Sequence, residues 1–238
     1  MVFRYSAINQ AYRCLKAYEK SYLLGHKPDE DSIDMAFGTA VHAGIAGHFE
    51  GASAIDTFAM TWGLSANQDF AKARYSFGEL MEIGQNLLSK WERLHAHHYE
   101  PIHVEERLKF NIGQFKIEGT PDFVGNYKGV LSVVDWKTSG SDYDKRMPNV
   151  DEQLWIYVEA CRQVYGLDIK QIVYAPFVKY GPKVQTPIVM QVTNEKLKKQ
   201  IDNVKLMLED LSTRAVFPMN KGQCLRCSFY SQCYKENA

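Results

Sequence analysis

Asp122, Asp135 and Lys137 interrupt two runs of otherwise strand-like chain, "GTPDFVG" and "GVLSVVDWKTSG". A charge set in such a run costs free energy unless an ion or a partner compensates it. Two carboxylates offer hard oxygen ligands to Mg²⁺ or Mn²⁺, and an ammonium beside them can offset charge on a pentavalent phosphorane. Phosphodiester hydrolysis needs that set. Lys137 lies two residues beyond Asp135 and so points to the same face of its strand. Neighbouring strands run about 4.8 Å apart, so Asp122 and Asp135, both read as late in their strands, could reach one ion. Taken singly, the same residues read as a strand-end ion pair and a turn aspartate after Pro121. The combination, with "VLSVV" running straight into Asp135, favours a site.

Periodicity supplies the elements that must position these groups. From His103 the segments "HVEERLKFNI", "FKIEGTPDFVG" and "GVLSVVDWKT" are rich in Val, Ile, Phe and Thr, are separated by Gly-containing turns, and read as three consecutive strands of a meander. "DEQLWIYVEACRQVYG" reads as a helix closed by Gly166. Strands around "QIVYAPFV" and "QTPIVMQVT" precede a helix from Asn194 to about Thr213. Upstream, a cap at Ser6 and apolar or aromatic residues at Ile8, Tyr12, Leu15, Tyr18 and Tyr22 predict an amphipathic helix to about Leu24. A second helix near Phe37 carries His42. Residues 66–98 read as a long helix or a broken pair, with His95, His97 and His98 as its solvated last turn.

The expected fold class is α/β, with a helical N-terminal lobe before the core. At 238 residues and 45% hydrophobic, the chain can bury one large core, and it shows no repeat or linker that divides it. We read one domain, residues 1–238: a mainly helical lobe over 1–100, an α/β core over 101–213 and a cysteine segment over 214–238. The 28 basic and 28 acidic side chains cancel, so composition carries no global basic signature of nucleic-acid binding. No apolar stretch approaches the roughly 20 residues of a membrane span, and the first residues lack the apolar core of a signal peptide, so the expected setting is intracellular.

The pattern of Gly119 and Asp122, then Asp135 and Lys137, resembles the PD-(D/E)xK nuclease superfamily, and the flanking residues resemble its RecB branch. His42 in "FGTAVHAG" is similar to the early helix histidine of these nucleases, and Gln153 and Tyr157 in "EQLWIY" to their Gln-x-x-x-Tyr helix. The resemblance implies a restriction-endonuclease-like mixed central sheet flanked by helices and a metal-dependent DNA nuclease. It further implies that His42, Asp122, Asp135 and the Trp136 carbonyl ligate Mg²⁺ or Mn²⁺, and that Lys137 positions water or stabilises the transition state. Gln153 and Tyr157, one turn apart, would contact the motif strands or the DNA. An acidic residue nearby can assist in such nucleases, and Glu105 and Glu106 both qualify.

Five cysteines without a signal peptide suggest a metal site rather than disulfides. "CLRCSFYSQC" gives Cys224, Cys227 and Cys233; three soft ligands demand a fourth, and Cys14 is the natural candidate. Cys161, on the apolar side of its helix, reads as core. The set is similar to that of iron–sulfur RecB-like nucleases, among them the CRISPR-associated exonuclease and the AddB nuclease domain. That resemblance implies a [4Fe–4S] cluster stapling the N-terminal lobe to the C-terminus. By spacing alone Zn²⁺ is the rival.

The expected substrate is DNA, single-stranded or at ends, in recombination, repair, phage DNA processing or CRISPR adaptation, in the cytoplasm of a bacterium, archaeon or phage-infected cell. Tyr5, Tyr12, Tyr18 and Tyr22 with Arg4, Arg13, Lys16 and Lys20 could stack bases and meet phosphates, or equally be core and solvated face. No G-x-x-x-x-G-K-[ST] motif is present, so any unwinding must come from a helicase or recombination partner. The alternatives are a nicking or structure-specific endonuclease and, from another class, a nuclease-like module that binds DNA or a partner without cutting. Oligomeric state is open.

Overall fold

The computed structural model describes residues 2–29, 32–71, 73–147 and 151–236. In chain order, β1 (Val2–Arg4) leads directly into α1 (Tyr5–Arg13), α2 (Leu15–Tyr18) and a π-helical turn over Glu19–Leu23. Next come α3 (Ile33–Phe49), α4 (Ala54–Gly63) and α5 (Phe77–Leu94). The strands β2 (Tyr99–Val104), β3 (Leu108–Ile112), β4 (Phe115–Gly119), β5 (Phe123–Tyr127) and β6 (Val130–Ser139) follow. The chain closes with α6 (Gln153–Tyr165), β7 (Gln171–Val178), β8 (Lys183–Val184), β9 (Ile188–Gln191), α7 (Asn194–Thr213), a 3₁₀ segment over Lys221–Arg226 and α8 (Tyr230–Glu236).

The helix starts have chemical causes. Ser32, Ser53 and Thr193 each accept the amide of the residue three further on, and Ser76 forms a reciprocal capping box with Glu79. Ser6 is not such a cap. Residues 2–4 pair with β4 as a strand, so α1 begins at once at Tyr5 with Arg4 in the cap position and no side-chain cap. The single helix expected to Leu24 breaks at Cys14, whose backbone is extended (φ −162°, ψ 113°). The long helix expected over 66–98 is shorter, starting at Phe77, and α4 was not anticipated.

The expected three-strand meander is five strands in two sheets. The chain breaks at 105–107 and again at 120–122, so β3 and β4 join β1 in a small sheet of order β1-β4-β3. The main sheet runs β2-β5-β6-β7, with β8 and β9 both pairing against β7. Its β6–β7 pair is parallel, crossed over by α6, while β2, β5, β8 and β9 run antiparallel to their neighbours. The β5–β6 hairpin turns at Lys128 and Gly129, both at positive φ (52° and 77°), the twist a two-residue hairpin requires. That turn pairs Tyr127 with Val130 and Phe123 with Val134; one step further, the same register sets Asp122 opposite Asp135.

Alternating residues of the sheet feed two cores. Val124, Val133, Ile172 and Tyr174 pack with α1, α6, α7 and the small sheet. Phe123, Val134, Trp136, Val173 and Phe177 pack with α3, α4 and α5. The helices of the first hundred residues therefore divide between the two faces, and the helical lobe is α3–α5. There α3 fits against α4 because Gly44 leaves room: a Cβ would meet the Ala54 carbonyl at 2.7 Å and Leu88 at 2.8 Å. Among the described residues no helix is long and apolar enough to cross a membrane.

Candidate active site

Asp135 and Lys137 stand on β6 in the register the sequence implies, pointing to the face that carries α6. Asp122 lies in the break before β5 rather than late in a strand, and the hairpin register carries it to Asp135. Its Oδ2 accepts the Trp136 amide at 2.8 Å, so the carboxylate is fixed by the strand it faces. His42 arrives from α3 on the other layer. Its Nε2 lies 2.6 Å from the Trp136 carbonyl oxygen, while Nδ1 faces Asp122 at 3.5 Å and Glu105 at 3.9 Å.

Of Glu105 and Glu106, Glu105 is the one that faces the site. It occupies the break between β2 and β3 with φ 51°, a left-handed conformation that a residue with a Cβ adopts at a cost, and its amide donates to the Asp122 carbonyl at 3.2 Å. One ligand atom each from His42, Glu105 and Asp122 falls within 4.8 Å of the others. Glu106 turns away, bonded to His103 and Tyr165.

Lys137 bridges the site to α6. Its ammonium donates to Gln153 Oε1 at 2.6 Å and lies 2.7 Å from Asp135 Oδ2. The buried Asp135 carboxylate is thereby paired with the Lys137 ammonium. Asp151, just ahead of α6, accepts the Gln153 amide at 2.9 Å and the Tyr5 hydroxyl at 2.8 Å, and so holds the first turn in place. Tyr157 is buried against Gly119, where a Cβ would come within 2.6 Å of its ring. Asp151 was not singled out for the site, and Tyr5 only as one of the N-terminal aromatics that could stack bases. An Asp two residues before a helix is a readable start signal, whereas nothing in the sequence ties Tyr5 to Asp151.

Crowded carboxylates set the electrostatics. Burial pushes the Asp135 carboxyl up, against the pull of Lys137. Glu105, with 39% of its side chain exposed, is pushed up to about 7 by partial burial and by the charge of Asp122. Burial alone would lower His42, but Asp122 outweighs it and holds the imidazole up at about 9. Burial disfavours the Lys137 ammonium too, and Asp135 more than compensates. His42, Glu105 and Asp122, with the Trp136 carbonyl and the Asp135 carboxylate beside them, offer imidazole and oxygen donors that suit a hard divalent cation.

The cysteines gather only in part. Cys14 is buried with Phe229, and Cys227 packs on them. Cys14 Sγ accepts the Asn220 amide at 3.3 Å, and Cys224 Sγ lies 3.6 Å from the Asn220 carbonyl. Among the described residues no three cysteine sulfurs come within 4.8 Å of one another. Cys161 is fully buried in the core, its thiol pushed up to about 12 by burial. Of the N-terminal aromatics, Tyr18 is buried, whereas Tyr12 and Tyr22 are each 40% exposed.

A mixed sheet with two carboxylates and a lysine gathered at one hairpin, Asp122 just ahead of β5 and Asp135 and Lys137 on β6, and an imidazole brought in by a helix of the opposite layer, has the plan of a restriction-endonuclease-like fold. The chain belongs to the PD-(D/E)XK nuclease superfamily, which it matches over residues 3–234. It is a nuclease. A crystal structure of a protein named "Putative exonuclease" from Eubacterium rectale shares the fold, with a TM-score of 0.63 at 16% identity over 92% of this chain and 85% of that one. A second solved structure, SSO0001, is 16% identical over 92% of this chain and 94% of its own, with a TM-score of 0.40. No curated protein matches the chain.

Proposed function

We propose that the protein is a metal-dependent deoxyribonuclease that removes nucleotides from the ends of single-stranded DNA. The observation that carries the reading is the convergence of His42, Glu105 and Asp122 beside the buried Asp135 carboxylate and the Trp136 carbonyl. His42, Asp122, Asp135 and Trp136 would hold Mg²⁺ or Mn²⁺, with Glu105 at the rim. Such an ion supplies Lewis acidity toward a phosphoryl oxygen and makes water a better nucleophile. Lys137, held by Gln153, is placed to orient water and to offset charge on the phosphate in flight. Glu105, partly exposed beside His42 and Asp122, would accept the proton of the attacking water. Tyr157 and Asp151 position Gln153 and through it the lysine.

End-directed cutting is favoured by the fold shared with the protein named as an exonuclease. The decisive experiment gives the protein Mn²⁺ with end-labelled linear and closed circular single-stranded DNA, beside an Asp135→Ala control. Loss of the linear DNA alone, absent in the control, is the expected result. Cut circles would make it an endonuclease, and binding without cutting a DNA-binding module.

We further propose that residues 1–238 act as one domain, closed by a [4Fe–4S] cluster on Cys14, Cys224, Cys227 and Cys233, with Zn²⁺ as the rival. The contact of Cys14 with Cys227 and Phe229 supports it, as do the bonds that tie the chain ends together. The Lys16 amide donates to the Pro218 carbonyl at 3.1 Å, the Asp29 amide to Ser228 at 2.6 Å, and the Ser231 amide to the Asp29 carboxylate at 2.9 Å.

A further inference from the structure

His42, Gly38 and Asp34 recur every fourth residue along α3 and so form one stripe of the helix. At 1.5 Å per residue, Asp34 stands about 12 Å along the axis from the imidazole. The stripe passes the far end of β6, where a Cβ on Gly38 would lie 3.1 Å from Thr138 Oγ1. Beyond it opens a cavity of about 660 Å³, walled by Asp34, Arg74, Tyr75, Lys179 and Tyr180 among others. Lys179 follows β7 directly, and its amide donates to the Ser139 carbonyl at 2.8 Å. The cavity thus lies past the ends of the two strands that border the reaction centre.

Its walls offer a stacking surface and one exposed cation, with Asp69 as a carboxylate on the same lining. The Arg74 guanidinium lies 4.0 Å from the centre of the Tyr180 ring and 5.7 Å from that of Tyr75, and the two rings are 5.4 Å apart. Arg74 is exposed, is stacked on Tyr180 and has no carboxylate partner among the described residues; a guanidinium so held can meet an anion at its N–H edge and a second π-system on its outer face. Behind it Lys179 is only 3% exposed, its ammonium paired with Asp34 and 5.5 Å from the Phe37 ring. This pair neutralises Asp34 at the rim and ties α3 to the end of β7.

We propose that this cavity is a subsite for one nucleotide of the strand under attack. The base stacks on the Arg74–Tyr180 pair, and the adjoining phosphate takes the N–H edge of Arg74. The inference rests on the single-strand nuclease reading and adds where the strand is gripped. The cavity rim at Asp34 stands about 12 Å from His42 along α3, the span of roughly three to four nucleotides at the stacked rise of 3.4 Å and of fewer in an extended strand. Stacking is indifferent to base identity, so the grip holds any sequence while fixing the scissile phosphate at the metal centre.

The test is binding of fluorescein-labelled ten-nucleotide single strands to the full chain in EDTA, followed by anisotropy, with one abasic residue moved stepwise from the end. A cleavage assay in Mn²⁺ runs alongside. The expected result is an affinity loss of about fivefold to 100-fold at one position, two to four nucleotides from the end. In Tyr180→Ala that position matters no more than its neighbours, whereas Tyr180→Phe keeps the dependence. Arg74→Ala, which removes an exposed side chain, loses the dependence and also lowers the salt slope by about one phosphate contact. Cleavage by the wild type with equal affinity at every abasic position would overturn the subsite and leave the nuclease standing. Neither binding nor cleavage of single strands would remove both.

Discussion

His42 and Trp136 are joined across the two layers of the fold: the imidazole Nε2 of α3 lies 2.6 Å from the carbonyl oxygen of a residue at the heart of β6. Ninety-four residues separate them in the chain, and the contact places a helix side chain beside the carboxylates of Asp122 and Asp135, which the hairpin register sets opposite each other. If both atoms serve one ion, His42→Ala should raise the Mn²⁺ concentration needed for half-maximal activity by at least about tenfold, with partial recovery at saturating metal. A manganese titration of activity, paired with calorimetric binding, checks this; an unchanged titration would remove His42 from the ligand set.

Lys137 should act on turnover rather than on metal. Its ammonium sits between Asp135 and Gln153, off the Asp122–His42–Glu105 group. Lys137→Ala should lower the single-turnover rate by about 10²- to 10³-fold, the cost of losing one preorganised charge at the transition state, while Mn²⁺ still binds. Retained cutting would sink the assignment of the lysine.

Stability without metal should fall as pH rises. Glu105 goes from 4.5 to about 7 on folding and His42 from 6.5 to about 9. In both the folded state holds the proton longer than the unfolded state. Their favourable contributions are therefore complete below the lower value and lost as pH climbs through the higher one, over a window from about 4.5 to 9. Thermal melts in EDTA should show a decline across that window that Glu105→Gln makes shallower and that saturating Mn²⁺ offsets. A melting temperature in EDTA that is flat with pH in both proteins would contradict the electrostatic picture.

Gly119 should tolerate no side chain. A Cβ there would press to 2.6 Å on the Tyr157 ring, which is itself buried. Gly119→Ala should cost about 1–3 kcal/mol in urea unfolding, the usual penalty of overpacking, and should lower activity by shifting α6 and with it Gln153. Tyr157→Leu in the same chain should recover part of the stability; no recovery would place the strain elsewhere.

The cluster reading predicts iron and inorganic sulfide in anaerobically purified protein, with visible absorbance that disappears in Cys14→Ser. Zinc by elemental analysis, and a colourless protein, would transfer the four cysteines to the rival metal. Either metal should protect the chain ends from proteolysis, because the bonds between residues 16–29 and 218–231 join segments that have little core of their own.

That Asp122 comes opposite Asp135, that Lys137 shares the strand face of Asp135 and that Gln153 and Tyr157 share a helix face were legible in the sequence because those spacings reflect local geometry. A two-residue turn makes a hairpin register arithmetic, side chains two apart share a strand face, and residues four apart share a helix face. The strand identity of "VLSVVDWKT" and the helix closed by Gly166 were legible for the same reason. What short-range pattern could not decide was anything that depends on where distant segments meet. The chain leaves one sheet for another at Glu105 and at Asp122, and α1 and α3 lie on opposite faces of the main sheet. Glu105 rather than Glu106 faces the site because one backbone residue adopts a left-handed conformation. Alternation and helical period are properties of neighbours a few residues apart and are written into the sequence, whereas the meeting of α3 with β6 is set by burial of both cores at once, and only the folded chain contains it.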